Sequence, residues 1–260
     1  MKIYLAGQCP YPEALAHARA TMGRFLISYH YCKKTPVRTL RADWAGQDIL
    51  LDSGGFSVRK KGQSIAVRDY LAFLSAMRGS FTACLNLDTK DANESQRNQT
   101  LLETSGITPL PVYHYSDWRS REHRCLLDHF IERYDYISLG GMAEGKLSRD
   151  LQADFLKYCF NRIPKHIKVH GLGITSMKTM MYFPFYSVDS KTWLVSGLYG
   201  DYITTKNARY KRTAKKRGTL SHYGILLPGP EKMKRAVDAF ASLERQLTAN
   251  WAKRGYVWNS

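Results

Sequence analysis

The chain has 260 residues, with 39 Lys and Arg against 22 Asp and Glu, a formal net charge of +17 at neutral pH, and apolar and charged shares of 44% and 23%. That length suffices to bury the core of one large domain, and those shares are ordinary for a soluble globular protein. The positive surplus is not ordinary: it attracts polyanions and predicts salt-sensitive binding to phosphate backbones.

Five cysteines, Cys9, Cys32, Cys84, Cys125 and Cys159, are odd in number, widely spaced and without a CxxC pair. They exclude a zinc ribbon and a disulfide framework, and reduced thiols in a cytoplasm are the simplest expectation. The opening Met1–Cys9 has too short an apolar run, and almost no basic region, for a lipoprotein signal. No stretch is long enough to span a membrane.

In chain order, the first expected strand is Ile3–Ala6 and the second Ile49–Leu51. Tyr70, Leu71, Phe73, Leu74 and Met77 then share one face at helical periodicity. The third and fourth expected strands are Ala83–Leu87 and Leu110–Tyr113, followed by a helix that carries Leu126, Phe130 and Ile131. Tyr136–Leu139 reads as the fifth strand, and Leu151, Phe155, Leu156 and Cys159 as the next helix face. Ile167–His170 and Tyr186–Val188 are the sixth and seventh, with Tyr223–Leu227 as an eighth candidate. Pro228 and Pro230 precede a last helix from Glu231 to about Lys253, with Met233, Val237, Phe240, Leu243, Leu247 and Trp251 as its buried face.

Such alternation implies a parallel sheet with crossover helices, and eight units would close a (β/α)8 TIM barrel occupying residues 1–260 as a single domain. An open doubly wound sheet is the alternative, weakened because no GxGxxG follows the first strand. Residues 202–230 contain no acid, and Lys206, Arg209, Lys211, Arg212, Lys215, Lys216 and Arg217 crowd their centre around Tyr210. A solvated loop is the plain reading, since charge runs usually are. Basic and aromatic side chains together also suit a nucleic-acid clamp, which we expect here.

Catalytic groups of such barrels sit where strands end. The expected second to seventh strands end in Asp52-Ser53-Gly54-Gly55-Phe56, Asn86-Leu87-Asp88, Val112-Tyr113-His114, Gly140-Gly141-Met142, His170-Gly171-Leu172-Gly173 and Val188-Asp189-Ser190. Each alone can be a turn, a cap or a tight connection. Three Asp at the mouths of three strands, with a His and a double Gly between them, suit glycosidic-bond chemistry. One carboxylate attacks the anomeric carbon and another handles the leaving group's proton.

These ordered motifs resemble the tRNA-guanine transglycosylase superfamily. Asp52-Ser53-Gly54-Gly55-Phe56 looks like its Asp-Ser-Gly-Gly-aromatic signature, Gly140-Gly141-Met142-Ala143 like its Gly-Gly-Leu-Ala loop, and His170-Gly171-Leu172-Gly173 like its Met-Gly-Val-Gly. Asp189 falls at the nucleophile. Pro111–His114, Val169–Thr175 and Val188–Trp193 are more similar to the phage and genomic-island branch, which puts 7-deazaguanines into DNA.

The resemblance implies that Asp189 attacks C1′, that Asp52 protonates the departing guanine and later deprotonates the incoming base, and that Asp88 accepts from the guanine edge. It also implies that Phe56 and His170 sandwich the base, that the Gly140, Gly141 and Met142 backbone meets its carbonyl face, and that His114 replaces a base-binding Gln. The expected activity is exchange of guanine in DNA for a free 7-deazaguanine, without cofactor or metal. The same exchange on tRNA, a non-catalytic nucleic-acid-binding barrel and an ordinary glycoside hydrolase are the alternatives. No cysteine follows Cys159, so the zinc subdomain of the tRNA enzymes is not expected. Lys146 stands where the bacterial tRNA enzymes carry a Glu, with Glu144 two residues earlier. A cation there disfavours an aminomethyl base and favours a neutral one such as 7-cyano-7-deazaguanine.

Overall fold

The computed structural model describes residues 1–59, 62–142, 147–199, 202–206, 209–213 and 228–258. Strand β1 (Lys2–Ala6) leads through helix α1 (Pro12–Thr21) to β2 (Arg24–Ser28). Pro12 opens α1, where a missing N–H costs nothing. Short helices α2 (Tyr29–Cys32) and α3 (Val37–Trp44) precede β3 (Asp48–Asp52), and α4 (Gly55–Arg59) and α5 (Val67–Ala76) precede β4 (Ala83–Cys84). Then come α6 (Ala92–Thr104), β5 (Val112–His114), α7 (Tyr115–Arg119), α8 (Leu126–Arg133), β6 (Tyr136–Gly140) and α9 (Arg149–Phe160). The rest is β7 (Lys168–Gly171), α10 (Met177–Tyr182), β8 (Ser187–Ser190), α11 (Thr192–Tyr199), β9 (Tyr202–Lys206), β10 (Arg209–Thr213) and α12 (Gly229–Lys253).

The first eight strands form one curled sheet in the order β4-β3-β2-β1-β8-β7-β6-β5, with every pairing parallel. With twelve helices among the described residues, this is a mixed α/β architecture. Regular pairing stops at β4 and β5. Past these ends a single parallel bridge joins Leu85 to Leu110, supported by Asn86 N–H to Leu110 O at 3.0 Å and Leu110 N–H to Cys84 O at 2.8 Å.

The strand between the first and second expected ones is a correction. Arg24–Ser28 pairs with β1 on one side and β3 on the other, so the strands expected as second to seventh are β3 to β8. The sheet has its eight strands without Tyr223–Leu227, which lies outside the described residues. The expected Ala83–Leu87 shortens to β4, because Leu85 and Asn86 turn to meet Leu110 and the Leu87 carbonyl accepts from the Asn98 side chain at 2.9 Å.

Period-two alternation sorts the strand residues onto two faces. One face meets the helices, through Ile3, Leu5, Ile49, Leu51, Ile137, Leu139, Val169 and Val188. The other lines the hollow of the curl, through Tyr4, Ala6, Leu26, Leu50, Leu85, Leu110 and Val112. Helix α12 covers the start of the chain. Its Met233, Val237, Phe240, Leu243, Leu247 and Trp251 are all buried, as their spacing predicts. Glu244 of the same helix accepts from the Ile3 backbone N–H at 2.7 Å and pairs with Arg24. Tyr70, Phe73, Leu74, Met77, Leu126 and Phe130 are buried as expected, Leu71 and Ile131 only partly, and Leu151 is exposed.

Deleting a ring from the α12 seam should leave a cavity. Phe240→Ala is expected to lower the unfolding free energy by about 3–5 kcal/mol in urea titration, whereas Gln246→Ala on the exposed side should stay within about 0.5 kcal/mol of the parent.

Candidate active site

Because all eight strands run parallel, their carboxyl ends share one rim, and the inward residues there are set by the same alternation as the apolar layer beneath. Asp52 continues the phase of Asp48 and Leu50, and His114 that of Leu110 and Val112. Asp189 lies beside Tyr4 in the β1–β8 register, and His170 beside Ser187 in the β7–β8 register. The rim thus gathers Asp52, Asp88, His114, Gly140, His170 and Asp189 from chain positions 137 residues apart (52 to 189).

The Asp52 carboxyl is pushed up to about 7. Burial is the largest cause, and the negative charges of Asp88 and Asp189 add to it, while the Gly54 N–H and Lys191 act against it. A carboxyl with that value holds and releases a proton at neutral pH, as a general acid and base requires. Its position is fixed by the turn that follows. Gly54 has φ +81°, and a Cβ there would stand 2.4 Å from Ser28 Oγ and 2.6 Å from His30 Cβ. No other residue fits. Phe56 follows in the first turn of α4, partly exposed.

Past the neighbouring strand β4, Asp88 Oδ2 lies 2.9 Å from His114 Nε2, with both side chains 12% exposed. Several contacts hold this pair. The His114 backbone N–H donates to Asp117 Oδ2 at 2.8 Å. The loop before Asp88 is tied to α6 by the Asn86 and Asn98 side-chain amides, which donate to Ser95 O and Leu87 O at 2.8 and 2.9 Å. A Cβ on Gly140 would come within 3.1 Å of the His114 ring, and one on Gly141 within 3.0 Å of the Tyr115 backbone nitrogen, at φ +79°. The double glycine therefore lets β6 end flush against the His114 strand.

Asp189 is nearly enclosed, and its Oδ1 accepts from the Gly173 backbone N–H at 2.7 Å. His170 Nε2 lies 3.5 Å from the same oxygen. The ring's Nδ1 is 2.7 Å from Ser187 Oγ, which is 2.6 Å from the Tyr136 hydroxyl. The resemblance implies a stacking role for His170. In the structure its ring is 0% exposed, meets Tyr4 edge-on and lies beneath Asp189.

Ser187, Tyr136, Asp117 and Lys191 carry no role in the sequence reading. Alternation alone puts Ser187 on the face of Asp189, which is the signal that finds it. Lys206, Arg209, Lys211 and Arg212 fall on β9 and β10, whose backbones form an antiparallel two-stranded ribbon with Lys206 opposite Arg209. The expected loop is thus partly a hairpin, and β9 runs beside α12. Lys215, Lys216 and Arg217 lie outside the described residues, as do Ala143, Glu144, Gly145 and Lys146. Among the described residues no group of three or more His, Cys, Asp or Glu side chains is arranged to hold a metal ion, and no helix is long and apolar enough to cross a membrane.

This arrangement is that of a carboxylate site at the mouth of a parallel α/β sheet. No protein-family model matches the chain, and no curated protein matches it.

The sign of the Asp52 shift is testable. The native state keeps a proton that an unfolded chain releases near 3.8, so the stabilisation from that proton is present at low pH and is lost as pH rises through about 7. Isotope-edited infrared spectra should show a protonated carboxyl band that titrates near 7 and is missing in Asp52→Asn. In Asp88→Asn the midpoint should fall, because a neighbouring negative charge is gone. A midpoint near 4 in the parent would contradict this picture.

Proposed function

We propose that the chain is a guanine transglycosylase that acts on DNA, built as a (β/α)8 barrel with the Leu85–Leu110 bridge as its closing seam. The observation that carries this reading is the rim itself: a carboxyl that titrates near neutrality facing a second, oriented carboxylate, with a His–Asp pair between them.

In this mechanism Asp189 attacks C1′ of the target nucleoside while the C1′–N9 bond breaks. The departing guanine takes the bonding electron pair and receives the Asp52 proton. The incoming 7-deazaguanine then gives its N9 proton to Asp52, and N9 attacks C1′ to release Asp189. Asp88 and His114 read the polar edge of the base, Phe56 flanks it, and the Gly140–Met142 backbone meets its carbonyl side. The two bases carry the whole exchange, so no cofactor enters. The target nucleotide must leave its stack, since C1′ is otherwise shielded. The +17 surplus supplies affinity for the phosphate backbone. DNA is favoured over tRNA because residues 202–230, which stand where the similar tRNA enzymes carry their zinc subdomain, hold no cysteine. Lys146 favours a neutral 7-substituent, most simply a nitrile.

Enzyme, guanine-containing DNA and a competing base should give a protein–DNA adduct that survives denaturation. Asp189→Asn should give none, and Asp52→Asn should exchange about 10²–10⁴-fold more slowly with DNA affinity nearly intact. Labelled guanine that enters RNA but not DNA would move the reading to the RNA enzymes. Incorporation into neither would remove it.

Replacing Lys206, Arg209 and Lys211 with Gln should weaken binding to every DNA sequence alike. The slope of log affinity against log salt should become shallower by about 0.9 for each duplex phosphate that is no longer neutralised, or about 0.7 on single strands. An unchanged slope would free the hairpin of any phosphate role.

A further inference from the structure

We infer that His170 is a positioning residue for Asp189, held by Ser187 and Tyr136 in the tautomer whose proton sits on Nε2, so that Oδ1 of Asp189 is occupied and Oδ2 alone faces the sugar. The inference deepens the transglycosylase reading and rests on it for its kinetic consequence.

The chain of hydrogen bonds begins at Tyr136. Removal from water pushes the Tyr136 phenol well above its ordinary value, so it keeps its proton and can donate it to Ser187 Oγ, 2.6 Å away. The Ser187 hydroxyl proton is then directed at His170 Nδ1, at 2.7 Å. An Nδ1 that accepts leaves the ring proton on Nε2. The opposite direction would aim the Nε2 lone pair at a carboxylate oxygen 3.5 Å away, in a site with no exposed surface on the ring. That contact is repulsive, and the low dielectric magnifies it.

With its proton on Nε2, His170 joins the Gly173 N–H on the same oxygen of Asp189. Both approach Oδ1. At 3.5 Å the imidazole contact is longer than a full hydrogen bond, and among the described residues Nε2 makes no other bond, so a small movement of Asp189 toward the ring closes it. The strand register supports the same division of labour. His170 and Ser187 are direct neighbours across β7 and β8, and Ser187 and Asp189 are two apart on one strand face. Tyr136 is one strand further along, in β6. Removing the groups that orient the ligands of a metal costs about 10–100-fold, and misplacing a reacting group by about 1 Å costs about 100-fold, so a loss of about 10–100-fold is expected here.

The decisive variants are Tyr136→Phe and Ser187→Ala, which delete one hydroxyl each and keep the packing volume nearly unchanged. In exchange of labelled guanine into DNA, kcat should fall about 10–100-fold while KM for DNA and for the free base stays within about twofold. Imidazole-labelled protein should show, by nitrogen NMR, one ring protonated on Nε2 that disappears in His170→Asn and loses its tautomer preference in Ser187→Ala. A His170 ring protonated on Nδ1 overturns the inference whether or not the chain exchanges bases. Parental kcat in both hydroxyl variants also overturns it, provided the parent is active. A parent that exchanges no base on DNA or RNA instead removes the transglycosylase reading, and the NMR result then decides the arrangement around Asp189 on its own.

Discussion

Like charges held close together in a partly enclosed rim are the constraint on which this site depends. Asp52, Asp88 and Asp189 converge from three strands, and the field of the latter two, added to burial, lifts the Asp52 carboxyl to about 7. Three unscreened anions would repel one another strongly, so the surroundings divide them into different states. Asp88 is answered by His114 at 2.9 Å, Asp189 by the Gly173 N–H at 2.7 Å, and Asp52 keeps a proton. In the proposed mechanism, environments that drive two carboxyls apart in this way supply an acid and a nucleophile from one residue type.

That division is made by backbone geometry as much as by charge. Gly54 turns the chain directly after Asp52 at a left-handed φ and packs where any Cβ would collide with Ser28 and His30. Gly140 and Gly141 bring β6 against the His114 loop, and Gly171 lies where a Cβ would stand 2.7 Å from both Ile174 and Phe185. These glycines let neighbouring strand ends close on one another, so Asp52 and Asp189 sit on strands, while Asp88 lies in a loop tied to α6. The opposite end of the hollow is polar too. Lys2 pairs with Asp48 at 2.8 Å and the Tyr4 hydroxyl donates to the same carboxylate at 2.9 Å. The apolar layer of Leu26, Leu50, Leu85, Leu110 and Val112 separates these two charged ends.

Much of this is legible in the sequence, and the failures have physical causes. Seven strands can be read because each is a short apolar run that stops at a polar or glycine residue. Arg24–Ser28 escapes such a reading because its apolar part is only Phe25-Leu26-Ile27, and the Ala-rich α1 before it offers little periodic contrast to mark where a helix ends and a strand begins. The rim carboxylates are legible because strand ends and turn glycines leave local marks. The His170–Ser187–Tyr136 chain is not, since it spans three strands and depends on register across two crossovers, which no local pattern encodes. In sequence His170 therefore reads as a wall of the base slot, whereas the neighbouring strand draws its ring under Asp189.

Under the proposed function, that placement changes what a base slot can be. Phe56 would flank the base on one side, while His170 is fully buried and Met142 is buried against the core. In that reading specificity rests less on stacking than on the polar edge, where Asp88 and His114 form a joined pair. A joined pair offers a base fewer free lone pairs than a lone carboxylate does, because one oxygen already serves the imidazole. In the proposed reading, a guanine-like edge binds when Asp88 accepts with its second oxygen while His114 stays in place, its backbone N–H held by Asp117. Recognition and nucleophile positioning are then the same physical device used twice: an imidazole occupies one oxygen of an aspartate so that the other is aimed.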